Sequence, residues 1–110
     1  ALAIDALAGL ARVSLTLGDA ERAREQVDEI LAWIETNGPE GIEYPLQVAL
    51  TCYRVLRATE DSRAEDVLNA AHRLLQEQAD KIDDEALRRS FLENVAAHRE
   101  IIGEWEGRQQ

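Results

Sequence analysis

The side chains that could do chemistry in this chain are few and scattered. His72 and His98 have no cysteine and no second histidine three or four residues away, and neither an H-E-x-x-H nor a C-x-x-C pair occurs. Nothing in that spacing would gather ligands around a metal ion. Both read as rings packed over a neighbour at the surface or its boundary. Cys52, the one cysteine, falls inside an apolar stripe, where a thiol behaves as a small buried hydrophobe. A nucleophilic thiol would need a base and an exposed, electropositive setting. Ser14, Ser62 and Ser90 lack the glycines of a nucleophile elbow. The stretch Gly38-Pro39-Glu40-Gly41 lacks the Gly-Lys-Ser/Thr ending of a phosphate loop and follows a helical pattern rather than a strand. Asp80, Asp83, Asp84 and Glu85 crowd one junction without the alternating ligands and central glycine of a calcium loop, and helix capping accounts for them. The residues therefore point to a non-enzymatic chain with no metal and no cofactor.

The elements that carry these residues are helical throughout. Leu2, Ala6, Leu7, Leu10, Ala11, Val13 and Leu17 form the apolar stripe of a helix over about 2–17 that stops at Gly18-Asp19. Ala23, Val27, Ile30, Leu31 and Ile34 predict a second over 20–35. Asn37-Gly38-Pro39, Gly41 and Pro45 mark the one long loop. Val48, Leu50, Cys52, Val55 and Leu56 predict a third over 45–59, and Val67, Leu68, Ala71, Leu74 and Leu75 a fourth that ends near Lys81, with Glu60-Asp61-Ser62 supplying its turn and cap. A terminal helix over 84–106 places Leu87, Phe91, Val95, Ile102 and Trp105 on one face. Short turns fold each helix back on the last, so the class is all-α with antiparallel hairpins in a single domain, 1–110.

Composition narrows the function further. Of the 110 residues, 22 are acidic and 12 basic, a net charge of −10 that repels a phosphate backbone and argues against nucleic acid as partner. No apolar run approaches the ~18 residues that cross a bilayer, so no membrane role is expected. A single cysteine excludes an internal disulfide, and a reducing, bacterial-type cytoplasm is the expected setting. The chain opens Ala-Leu-Ala without an initiator methionine and reads as a segment of a longer protein.

Two helical hairpins can be overlaid, Ile4 to Asn37 and Leu46 to Ala79, with linker 38–45 between them. The first has the 34-residue period of a tetratricopeptide repeat. It resembles that family at Leu7, Leu10, Ala11, Gly18, Asp19 and Ala23. The second hairpin carries Ala49, Cys52, Tyr53, Leu56, Glu60, Asp61 and Glu65 at the same positions, with Tyr53 in place of a small residue and 42 residues from Gly18 to Glu60. The segment is also similar to the C-terminal repeat regions of large bacterial signalling ATPases and transcriptional regulators, through Leu50 to Leu56 and Arg88 to Val95.

This resemblance implies an α-solenoid of about two repeats with the fifth helix as cap or as the start of a third. It also implies a concave groove lined by Asp5, Ala8, Arg12, Leu15 and Thr16 from the first hairpin, and by Gln47, Leu50, Arg54, Arg57 and Ala58 from the second. Arg12 and Arg54 hold equivalent places, with Arg57 one turn on, a strip suited to a carboxylate or acidic peptide because guanidinium offers a forked donor set. The alternative is that these arginines pair with carboxylates of neighbouring helices. Ala8 and Leu50 stand where chaperone-binding members have Lys or Asn, so that carboxylate clamp is not expected. The implied function is a scaffold-type interaction module of a signalling protein that binds a protein or peptide. A second possibility is an oligomerisation or capping element that forms a homodimer through its terminal helices, since Trp33, Phe91, Ile101, Ile102 and Trp105 are many large apolar groups for five helices to bury.

Overall fold

The computed structural model describes residues 3–108. Among them the chain is all-helical, with α1 (Ile4–Thr16), α2 (Ala20–Asn37), α3 (Pro45–Ala58), α4 (Ala64–Asp80), α5 (Glu85–Glu93) and α6 (Ala96–Arg108), and without a strand.

The two hairpin turns are built alike. After α1, the N–H groups of Leu17, Gly18 and Asp19 donate to the carbonyls of Val13, Leu15 and Ser14; after α3, those of Thr59, Glu60 and Asp61 donate to Val55, Arg57 and Leu56. Each set closes the helix's last carbonyls through a residue in the left-handed region, Gly18 at φ 83° and Glu60 at φ 55°. The same turn thus recurs 42 residues on, once with the residue that tolerates it and once with one that does not. Glu60→Gly is therefore expected to raise stability by about 1 kcal/mol, and Gly18→Ala to lower it by a similar amount, both read by urea denaturation. Past the second turn, Ser62 makes no cap. The Asp61 carboxylate instead accepts the backbone N–H of Arg63 at 2.9 Å, and α4 starts without a side-chain cap bond.

Contacts fix the helix directions. Asp5 meets residues 43 and 44 while Arg12 meets Thr51, so α1 and α3 run the same way. Arg54 meets Glu100 and Arg57 meets Glu104, so α6 runs with them. Ser14 bonds to Gln26 across the first hairpin, and His72 stacks on Trp105 where α4 passes α6 in the opposite sense. The result is a row of α1, α3 and α6, with α2 and α4 antiparallel on its other side. The core between them is Ala11, Ala23, Val27, Ile30, Val55, Leu56, Leu68, Leu75 and Ile101, all buried. Alanines at 11 and 23 let the first two helices approach closely.

Two sequence expectations are corrected. The buried side of α1 is Ile4, Leu7, Ala8, Ala11 and Ser14, while Leu10, Val13 and Leu17 are 43%, 54% and 78% exposed. Leu2 lies outside the described residues. The α1 helix carries only two charges, Asp5 and Arg12, so both of its arcs are apolar and periodicity alone cannot choose between them. Second, the terminal helix is not continuous over 84–106. It breaks at Asn94 and Val95, poor helix formers for their backbone-competing amide and branched Cβ. The Asn94 amide donates to Ser90 Oγ, and the freed carbonyls of Phe91 and Glu93 accept from His98 Nδ1 at 2.7 Å and Arg99 at 3.3 Å. The break turns α6 onto α3 and α4. It buries Ile101 and leaves Leu87 and Val95 exposed, while Trp33, Phe91, Ile102 and Trp105 pack partly buried against the core.

Candidate functional site

The face shared by α1, α3 and α6 holds most of the residues expected in the groove, in differing states. Arg12 is exposed on α1, and one of its terminal nitrogens donates to the Oγ1 of buried Thr51 at 2.9 Å. Thr51 in turn donates to the Gln47 carbonyl one turn back, which leaves its oxygen's lone pairs aimed at the guanidinium. Among the described residues no carboxylate lies within 4 Å of Arg12. Two depressions flank it. One, of about 240 Å³, is bounded by Arg12, Gln47, Leu50, Arg54 and α6; the other, of about 270 Å³, by Arg12, Leu15, Thr16, Arg54 and Val55.

Arg54 and Arg57 do not form a free basic strip. Arg54 pairs with Glu100, and Arg57 with Glu104 at 2.7 Å. The Glu104 carboxylate also accepts from the hydroxyl of Tyr53 at 3.3 Å, and that hydroxyl receives long contacts of 3.4 Å from Arg57 and Arg108. Tyr53 thus puts a polar tip at the α3–α6 seam from an otherwise buried ring. Of the other expected residues, Asp5 clamps the linker, its two oxygens accepting the N–H groups of Glu43 and Tyr44 at 3.0 Å each just before α3. Ala8 is fully buried and offers no surface, Leu50 is nearly so, and Ala58 is exposed beyond both depressions. Sequence reasoning missed Thr51, Glu100 and Glu104. The signal for the two glutamates was present: an i, i+4 pair on the terminal helix at nearly the spacing of Arg54 and Arg57.

The remaining candidates for chemistry resolve into structural roles. Burial pushes the Cys52 thiol up to about 12, so it stays protonated and unreactive at neutral pH. His98 holds the α5–α6 break. His72 lies flat on Trp105, ring centres 3.8 Å apart, and desolvation lowers its pKa below the usual 6.5 against a weaker upward pull from Glu106. A histidine with a depressed folded-state pKa contributes stability that is whole above about 6.5 and is lost as pH falls through the folded value. Melting temperature is therefore expected to drop as pH falls below about 6.5 in the wild-type chain and to drop less in His72→Phe, which keeps the stacking. Asp61 does not confuse that window. Hydrogen bonds from the Arg63 guanidinium and backbone, with Arg24 at 3.5 Å, hold its carboxyl well below the usual 3.8. No group of three or more potential metal ligands is clustered, and no helix is long and apolar enough to cross a membrane, among the described residues.

No protein-family model, curated protein or solved structure gave a significant match to this chain.

Proposed function

We propose that this chain is a non-enzymatic, tetratricopeptide-like interaction module that binds an acidic peptide or helix on the face shared by α1, α3 and α6, with Arg12 as the anchor. The observation that carries this reading is the state of Arg12: exposed, oriented by buried Thr51, without a carboxylate partner among the described residues, and set between two depressions. A guanidinium held this way keeps most of its N–H donors for a ligand carboxylate, and its orientation entropy is already spent. The repeat reading rests on the turn that recurs at Gly18 and Glu60 and on the same-direction row of α1, α3 and α6. On this reading α6 stands for a third repeat's first helix, and its Glu100 and Glu104 on Arg54 and Arg57 illustrate how a helix with carboxylates at i, i+4 engages this face. The module would serve as one segment of a larger bacterial regulatory protein in the cytoplasm.

Selection of a random peptide library on the wild-type chain tests the reading. Enriched sequences should be rich in Asp and Glu, and Arg12→Glu should weaken the best of them about tenfold or more at unchanged helicity and melting temperature. Equal binding by the Arg12→Glu chain would remove the groove assignment. A second reading, self-association through a terminal helix, is favoured by the exposed Leu10, Val13 and Leu17 on the outer arc of α1. Sedimentation over a range of concentrations decides it, since a strict monomer leaves no place for it.

A further inference from the structure

On the side of α3 turned away from Arg12, a cavity of about 260 Å³ opens between α2 and α4. The two helices run in the same direction yet keep every Cα pair more than 8 Å apart, so side chains alone fill the gap. Ala49 and Cys52 of α3 make its floor, Ile34 of α2 and Val67 and Leu74 of α4 its walls, and exposed Ala70 stands at its mouth. No charged residue lines it. The Cys52 thiol, protonated at neutral pH, is one more neutral surface.

Charged residues flank one end and prolines the other. One turn before Leu31 on α2 and one turn before Val67 on α4, Asp28 and Arg63 join across the gap at 2.6 Å, with Asp61 and Arg24 extending the ionic cluster. At the other end, Pro39 of the linker and Pro45 at the start of α3 bound the cavity. A charged ligand would find no partner among the lining residues. Cavities of ~150 Å³ lined by aliphatic side chains stay dry and take up benzene. A cavity of this larger size and similar lining suits a compact bicyclic or branched molecule.

We propose that the α2–α4 cavity is a binding site for a small, neutral aromatic or hydrocarbon ligand. Because its walls come from both hairpins, an occupant ties α2 to α3 and α4, and its binding free energy adds to the stability of the packed pair.

Titration of the ¹³C-methyl-labelled chain with indole tests this, with indole-3-acetate as the charged counterpart. Saturable shifts confined to the methyls of Leu31, Ile34, Ile42, Val67 and Leu74, with Kd of about 1 mM or tighter for indole and about tenfold weaker for the acetate, are expected. Ala70→Phe, which fills the mouth, should weaken indole about tenfold while the melting temperature holds. Should that variant fail to fold, Ala70→Glu places a charge at the same exposed position and carries the same expectation. Absence of saturable shifts, shifts spread over the molecule, equal affinity for the acetate, or undiminished binding by folded Ala70 variants would each overturn the proposal.

Discussion

Tyr53→Ala is expected to lower the free energy of unfolding by about 3–5 kcal/mol, the range for truncating a fully buried aromatic side chain. Tyr53 is 1% exposed and is the largest wholly buried side chain among the described residues. It lies in the middle of α3, the helix that touches α1, α2, α4 and α6. Its removal would therefore leave a cavity at the junction of both hairpins and the terminal helix, where collapse of any one neighbour strains the others. Tyr53→Phe separates the two contributions of the residue. It keeps the ring and loses the hydroxyl's contacts to Glu104, Arg57 and Arg108, all of 3.3–3.4 Å. Contacts that long contribute little, and a loss of about 0.5–1 kcal/mol is expected. Urea denaturation of the three proteins checks both values; a Phe variant as unstable as the Ala variant would put the weight on the polar seam instead of the packing.

The fold was legible where the sequence offered one solution. Pro45 opens α3, the apolar positions 48, 50, 52, 55 and 56 are all buried, and Gly18-Asp19 stops α1. It was ambiguous where two solutions bury equal apolar surface. The α1 helix has leucine or valine on both arcs, and which arc turns inward is decided by α2 and α3, through Ser14 bonding Gln26 and Asp5 clamping the linker, rather than by anything local. Asn94 and Val95 are weak breakers, and only the docking of α6 on α3 and α4 makes a break there worthwhile. The candidate site shows the same division. Arg12, Gln47 and Arg54 line one depression, but the register from which they were expected together says nothing about occupancy. Whether Arg54 and Arg57 are free depends on a helix some fifty residues away folding back with its glutamates in register, a long-range event that helical periodicity does not encode.

That dependence makes Ile101→Ala the second perturbation of large effect. Ile101 is fully buried and is the only residue of α6 that is, among those described. The rest of α6 holds on through Ala97, Ile102 and Trp105, only partly buried against the core, the His72 to Trp105 stack and the exposed pairs of Glu100 and Glu104, and exposed ion pairs contribute only about 0–1 kcal/mol each. Truncating Ile101 removes about 2–5 kcal/mol from the one fully buried anchor of α6 among the described residues. The loss is expected to fall unevenly. The hairpins keep their own cores in Val27, Ile30, Leu56 and Leu68, so α6 should detach while α1 to α4 persist. Hydrogen exchange should then show amides of 96–108 losing protection, with those of α2 and α3 much less affected. Trp105 emission should shift to the red in a Trp33→Phe background as its ring leaves His72. Undocking also frees Arg54 and Arg57 from their glutamates, and the binding face becomes the strip of three arginines that the repeat register describes. If an acidic peptide binds that face, Ile101→Ala should bind it more tightly than wild type, although it is the less stable protein. Weaker binding would mean instead that α6 forms part of the ligand's seat.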